Sequence, residues 1–246
     1  MTVEFTINGV KARAEAGDNL LEVIRSYGFE VPSLCHHYAL KPYASCRVCL
    51  VSVKDKSGRT NLTTSCNYKV EEGIEVTTES EEIHRNRKTV LELMLAEAPN
   101  APEVKKIAAK YGLTESRYAR EKTTKVEIQN DGCILCGLCV RVCNEVVGVS
   151  ALNMTGRGDK RMAGTPYMET PQNCIACGSC AYVCPAKCIG YSEEDGMRKL
   201  KKWDRELPMD KDERGKPFAP RFQLNHFIKT AGLPKDFYKK GGGPKR

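Results

Sequence analysis

The chain is short of several things that would assign it to a common class. Among its 246 residues no apolar run approaches the ~18 residues of a membrane-spanning helix, so no transmembrane segment is expected. The opening Met1-Thr2-Val3-Glu4-Phe5 has neither a basic stretch nor an apolar core, which argues against secretion and for a cytoplasmic location. No G-x-G-x-x-G fingerprint occurs, and Gly156-Arg157-Gly158 is too short for a phosphate loop. The chain is therefore not expected to hold NAD or flavin itself. No acid/base pair, activated nucleophile or open metal position emerges, so intrinsic catalysis is not expected either. Aromatic residues make up only 7%, with a single Trp, yet at 41% hydrophobic the chain can bury a core.

Cysteine, by contrast, is abundant. The 13 cysteines fall into sets at Cys35/Cys46/Cys49/Cys66, Cys133/Cys136/Cys139/Cys143 and Cys174/Cys177/Cys180/Cys184, with Cys188 left over. Nothing targets the chain to an oxidising compartment, so groups of four indicate metal binding rather than disulfides. The formal charge of +8 has a local origin. Residues 197–246 hold 15 Lys and Arg against 6 Asp and Glu, whereas residues 1–196 hold 24 against 25. These basic residues are scattered among acids, without a recognition helix, so nucleic acid is not an expected partner.

Hydrophobic periodicity sketches the organisation. Val3, Phe5 and Ile7 alternate as a strand, Asn8-Gly9 signals a hairpin, and Val10, Ala12 and Ala14 continue the alternation. Asp18-Asn19 can cap a helix bearing Leu20, Leu21, Val23 and Ile24, ended by Gly28. Leu50–Val53 and Gly73–Thr77 read as strands, with Ser57-Gly58 as a turn between them. Residues 1–78 thus form a small α+β domain. Ser80 can cap a helix carrying Ile83, Val90, Leu91, Met94 and Leu95, which Pro99 stops. Pro102 suits the first turn of another, reaching Gly112. Residues 79–122 are expected to be a helical bridge. Residues 196–246, basic and Pro/Gly-bearing, contain Trp203 and four of the six Phe, and are expected to be an extended docking arm.

Residues 123–195 contain an internal repeat. Cys133-Ile-Leu-Cys-Gly-Leu-Cys-Val-Arg-Val-Cys143 is echoed by Cys174-Ile-Ala-Cys-Gly-Ser-Cys-Ala-Tyr-Val-Cys184, both fitting C-x2-C-x2-C-x3-C. Closely spaced thiolates hold three corners of a four-iron cubane, and the distant cysteine serves the other cubane. The first cluster takes Cys133, Cys136, Cys139 and Cys184, and the second takes Cys174, Cys177, Cys180 and Cys143. Gly137 and Gly178 leave room for backbone to approach the inorganic sulfurs. Structural zinc is the alternative for four thiolates, but two interleaved copies disfavour it.

These residues carry a family resemblance. Residues 123–195 resemble a bacterial two-[4Fe–4S] ferredoxin, with Cys184-Pro185 as in that pattern and Cys143-Asn144 departing from it. Residues 1–78, through Leu20-Leu21-Glu22, Pro32-Ser33-Leu34-Cys35 and Tyr43-Ala44-Ser45-Cys46-Arg47-Val48-Cys49, resemble the N-terminal [2Fe–2S] domain of the complex I large iron–sulfur subunit. The same module occurs in diaphorase subunits of NAD-linked hydrogenases and formate dehydrogenases. The resemblance implies a β-grasp fold and a [2Fe–2S] cluster on Cys35, Cys46, Cys49 and Cys66. That family usually carries a further [4Fe–4S] cluster with one His and three Cys ligands. Here Ala98 stands where that His falls, and no cysteine lies between Cys66 and Cys133. Three clusters are expected, not four. The iron–sulfur subunit of succinate dehydrogenase is a rival, disfavoured by the ten-residue gap between Cys35 and Cys46.

The implied function is a non-catalytic electron-transfer subunit of a hetero-oligomeric oxidoreductase. Its partners would be a flavin- and NAD(P)-binding subunit on one side and, on the other, a low-potential redox catalytic subunit or ferredoxin. A stand-alone ferredoxin-like carrier is the alternative, and an iron–sulfur regulator of nucleic acid the remote one. Of the leftover residues, Cys188 reads as a small buried hydrophobe, His36 and His37 as solvated loop histidines, and His84 as part of a solvated helix face. His226 has no assigned role.

Overall fold

The computed structural model describes residues 1–118, 132–212 and 214–238, with only the backbone of residue 159. They divide into two compact units, Met1–Cys136 and Gly137–Arg246, the division falling inside the first copy of the repeat. The boundary expected between residues 122 and 123, and the last eight residues of the arm, lie outside the described residues.

In the first unit, β1 (Thr2–Ile7) and β2 (Val10–Glu15) form the expected hairpin. Asn8 and Gly9 turn it with φ of 51° and 80°, the left-handed pair that a two-residue turn between twisted strands requires. The helix α1 (Leu20–Ser26) is capped by Asn19, whose Oδ1 accepts from Leu21 N at 3.1 Å. The strands β3 (Leu50–Lys54), β4 (Thr60–Thr64) and β5 (Glu75–Thr77) complete a sheet of order β2-β1-β5-β3-β4. Only β1 and β5 run parallel to each other, giving the expected β-grasp arrangement. Val3, Phe5 and Ile7 point to one face and pack with Leu20, Leu21, Ile24, Val51 and Val76. Strand β4 escapes the alternation rule because its Thr-Asn-Leu-Thr-Thr sequence has a single apolar residue. At the sheet edge, pairing with β3 and β-branched threonines suffice.

The bridge contains α2 (Glu81–Glu97), capped by Ser80 Oγ accepting from Ile83 N, and α3 (Pro102–Lys110), with Pro102 in its first turn. Ile83, Leu91, Leu95, Val104 and Ala108 are buried. So is Arg87, at 0% exposure: its guanidinium donates to Leu50 O at 2.6 Å, Thr78 O at 3.0 Å and Tyr111 OH at 3.1 Å. Buried Glu92 receives Arg117 at 2.6 and 2.9 Å.

The second unit opens with the four-residue helix α4 (Leu138–Arg141), which runs into a π-type turn over Val142–Val147. The short strands β6 (Asn153–Thr155) and β7 (Met162–Gly164) pair, and α5 (Ser179–Tyr182) repeats α4 in the second copy. The repeat extends to the backbone: Gly137 and Gly178 adopt φ of 71° and 79°, and Leu135 and Ala176 adopt 52° and 51°.

The expected extended arm is corrected here. Residues after 190 fold into β8 (Tyr191–Glu194), β9 (Met197–Leu200), β10 (Arg205–Lys211) and β11 (Pro217–Pro220), a sheet of order β11-β10-β9-β8. The helix α6 (Arg221–Thr230) follows. Asp195-Gly196 supplies the hairpin turn, with φ of 50° and 72°. Leu200, Trp203, Leu207, Met209, Ala219 and Leu224 are buried. A basic composition masked a thin apolar face. Pro217 and Pro220 sit in edge strand β11, where a missing N–H is tolerated, whereas Pro208 lies in the internal strand β10 opposite Met197.

Candidate metal centres

In the first unit, the loop between α1 and β3 carries Cys35, Cys46 and Cys49, and the 3-10 turn Ser65–Asn67 after β4 carries Cys66. All four are buried. Ala44 and Arg47 adopt left-handed φ of 56° and 58° on either side of Cys46. That curvature wraps the loop about its own thiols, and Cys46 N–H donates to Cys35 Sγ at 3.4 Å. Ser65 joins the two ligand-bearing segments, its N–H and its hydroxyl both donating to Cys49 O at 3.0 and 2.8 Å. Asn19 Nδ2 donates to Cys66 O at 2.7 Å, so one side chain caps α1 and holds the Cys66 turn.

These buried thiols hydrogen-bond one another. Bonding to Cys46 and Cys66 holds the Cys35 thiol far below its usual range, and bonding to Cys66 pulls Cys49 down to about 7. Cys46 and Cys66, the donors in this arrangement, are pushed well up. A set of four sulfurs that already share protons is suited to exchange them for metal.

His36 corrects the solvated reading. Its side chain is only 7% exposed, and Nε2 lies 3.0 Å from Glu22 Oε1. His37 Nδ1 accepts from Ala39 N–H, and its ring stacks on Tyr38 at 4.7 Å. His84 does lie on an exposed helix face, against Tyr111.

In the second unit, Cys143, Cys174, Cys177 and Cys180 line one cavity together with Leu152, Leu200 and Trp203. Cysteines 30 to 40 residues apart thus meet around a common space. Burial raises the Cys143 and Cys174 thiols, and pushes Cys180 up to about 12. Ala151 N–H donates to Cys143 Sγ at 3.3 Å. The C-terminal sheet grips the second ligand loop by its carbonyls. Arg198 donates to Ala176 O at 3.2 Å, and Arg205 to Cys174 O at 3.1 Å and Gln172 O at 3.0 Å. Soft donors, apolar walls and N–H groups aimed at sulfur fit an iron–sulfur core. His226, unassigned from sequence, anchors α6 through a 2.7 Å contact with Val147 O.

Cys139 on α4 and Cys184 after α5 are buried in this unit as well, whereas Cys133 and Cys136 belong to the first unit. Cys188 is not the buried hydrophobe expected. It is half-exposed, with its Sγ 3.6 Å from Cys184 Sγ, and its hydrogen bond brings the Cys184 thiol down to about 5. Among the described residues no three His, Cys, Asp or Glu side chains close on a point fit for a single ion. Sequence reading missed the contacts of Arg198, Trp203 and Arg205. The available signals were the Asp195-Gly196 turn and a lone Trp in an otherwise polar segment.

Comparison with known proteins agrees with this geometry. Residues 1–81 match the 2Fe-2S iron-sulfur cluster binding domain, and residues 132–188 match the 4Fe-4S dicluster domain. The chain carries one [2Fe–2S] and two [4Fe–4S] clusters. It is 33% identical over 200 residues to the NADPH-Fe(3+) oxidoreductase subunit alpha of Geobacter sulfurreducens, covering 74% of this chain and 23% of that one. It is 31% identical over 202 residues to the mitochondrial NADH-ubiquinone oxidoreductase 78 kDa subunit of Neurospora crassa, covering 74% and 27%. With the NADP-reducing hydrogenase subunit HndD of Solidesulfovibrio fructosivorans it shares 29% over 205 residues, 74% of this chain and 34% of that one. The chain thus spans about a quarter to a third of these relatives' length. A chain in the crystal structure of an NAD+-reducing [NiFe]-hydrogenase in the H2-reduced state superposes with a TM-score of 0.57 at 28% identity, over 66% of this chain and 74% of that one.

Proposed function

We propose that this chain, with its [2Fe–2S] domain and [4Fe–4S] dicluster domain, conducts single electrons within a hetero-oligomeric NAD(P)-linked oxidoreductase. Cys35, Cys46, Cys49 and Cys66 hold the [2Fe–2S] cluster. Cys133, Cys136, Cys139 and Cys184 hold the first cubane, and Cys143, Cys174, Cys177 and Cys180 the second. When bound, the clusters supply one-electron redox capacity. The protein supplies placement, exclusion of water and N–H groups directed at sulfur.

The observation that carries the reading is contact between successive ligand-bearing segments. Within the first unit, Ser45, next to Cys46, donates to the carbonyl of Cys136 at 3.3 Å. Within the second, α4 bearing Cys139 packs on α5 bearing Cys180. A chain built only to hold iron has no need of such a sequence of contacts. On this reading a partner holds NAD(P) and flavin, where a hydride's two electrons are divided into single steps. A second partner carries the low-potential redox catalyst.

The test is anaerobic. The isolated chain should contain about ten irons, from one two-iron and two four-iron cores. NAD(P)H alone should leave its visible absorption unbleached, and catalytic amounts of a flavoprotein NAD(P)H dehydrogenase should bleach it. Bleaching by NAD(P)H without flavoprotein, or zinc in place of iron and acid-labile sulfide, would refute the proposal.

A further inference from the structure

Trp203 stands out among the residues that line the second cavity. It closes the 3-10 turn Lys201–Trp203 between β9 and β10, and Asp204, with a left-handed φ of 44°, turns the chain away after it. The residue is 6% exposed, and its Nε1 is enclosed without a closed hydrogen bond. An indole N–H can only donate. Burying one without an acceptor is unfavourable, so such an atom calls for explanation. The ring lines the cavity shared by Cys143, Cys174, Cys177 and Cys180, and the group its N–H faces is the Cys180 sulfur.

We propose that the Trp203 indole N–H donates to a sulfur of the second [4Fe–4S] cluster and sets that cluster's reduction potential above what its four cysteines alone would give. The proposal rests on the ligand set assigned under the proposed function. Reduction adds negative charge that is shared by the sulfurs, so a fixed donor stabilises the reduced state more than the oxidised one. The donor is held from both sides. Leu200 before it is 1% exposed, and Arg205 after it is tied to Cys174 O and Gln172 O. Neither the turn nor the ligand loop can shift alone. The C-terminal sheet then acts as the fixed wall of a redox centre, with Trp203 as its positioning residue.

The experiment uses the full chain, reconstituted anaerobically. In Trp203→Phe the one-electron reduction equilibrium of the second cubane should move about tenfold toward the oxidised form, ~59 mV, in a potentiometric EPR titration. The [2Fe–2S] midpoint should stay in place and the iron content should remain that of the unsubstituted chain. An unchanged cubane midpoint with iron retained overturns the proposal. If Trp203→Phe loses iron, the unsubstituted chain still decides. Trp203 is the sole tryptophan, so 15N-indole labelling yields one side-chain resonance. That resonance should be paramagnetically shifted and slow to exchange with solvent; an unshifted, freely exchanging signal overturns the proposal. Cys143→Ser separates the two ideas. A return of the indole signal to its diamagnetic position supports both. A persistent shift with one cubane missing refutes the Cys143 assignment while leaving the indole contact standing.

Discussion

Replacing Arg87 with methionine keeps most of the buried stem and removes the guanidinium. Two enclosed backbone acceptors, Leu50 O and Thr78 O, then lose their Arg87 donor. An unsatisfied buried acceptor costs about 1–3 kcal/mol, so the pair amounts to about 4 kcal/mol. Glu79, the ionic partner at 2.7 Å, is more than half exposed and adds little. At about 2–4 °C per kcal/mol for a chain of this size, the melting temperature should fall by roughly 10 °C. Because Leu50 directly follows Cys49, the [2Fe–2S] site should fail first. Visible circular dichroism of the two-iron centre should collapse on heating before the broad four-iron absorption does. Arg87→Lys should recover only part of the loss, since one ammonium cannot replace the fork that serves both carbonyls. A melting temperature within about 2 °C of the unsubstituted chain would refute the assignment of Arg87 as the tie between α2 and β3.

Cys143→Ser should abolish the EPR signal of the second cubane and leave about six irons, from one four-iron and one two-iron core; loss of the first cubane instead would refute the crossed ligand sets. Asn19→Ala should cost about 1–2 kcal/mol for the lost cap. It should also speed chelator release of iron from the two-iron site, because Cys66 O loses its 2.7 Å donor; equal release rates would count against that tie. The Glu92 carboxyl is held down to about 2 by hydrogen bonds from Arg117, against an ordinary 4.5. Its folded-state value is depressed, so the stabilisation is complete above about pH 4.5 and fades as the pH falls toward 2. Urea midpoints across that window should therefore fall less steeply in Glu92→Gln, and parallel curves would show that the pair contributes nothing.

The β-grasp half was legible because its signals are local. Period-two alternation in β1, the Asn8-Gly9 turn and the Asn19 cap each act within a few residues and agree with one another. The metal arithmetic was legible for a related reason: a run such as C-x2-C-x2-C-x3-C brings thiolates together through the loop itself, before any packing. Charge obscured the rest. In residues 191–230 the buried positions are few and far apart, and a count of lysines and arginines hides them. The solvated reading of His36 failed because exposure depends on what covers a loop, and Glu22 on α1 reaches it from 14 residues away.

By itself the amino-acid order determined which cysteines form sets of four and that two of those sets repeat one ligand loop. Local chain geometry is enough to specify those things. Only the tertiary structure decided that Arg198 and Arg205 hold the second ligand loop by its carbonyls, that Arg87 joins the helical bridge to the β-grasp sheet, and that Trp203 lines the cavity of Cys143, Cys174, Cys177 and Cys180. Each of these depends on packing between segments distant along the chain, where the favourable partner is chosen by the cooperative burial of the whole unit and leaves no local pattern to read.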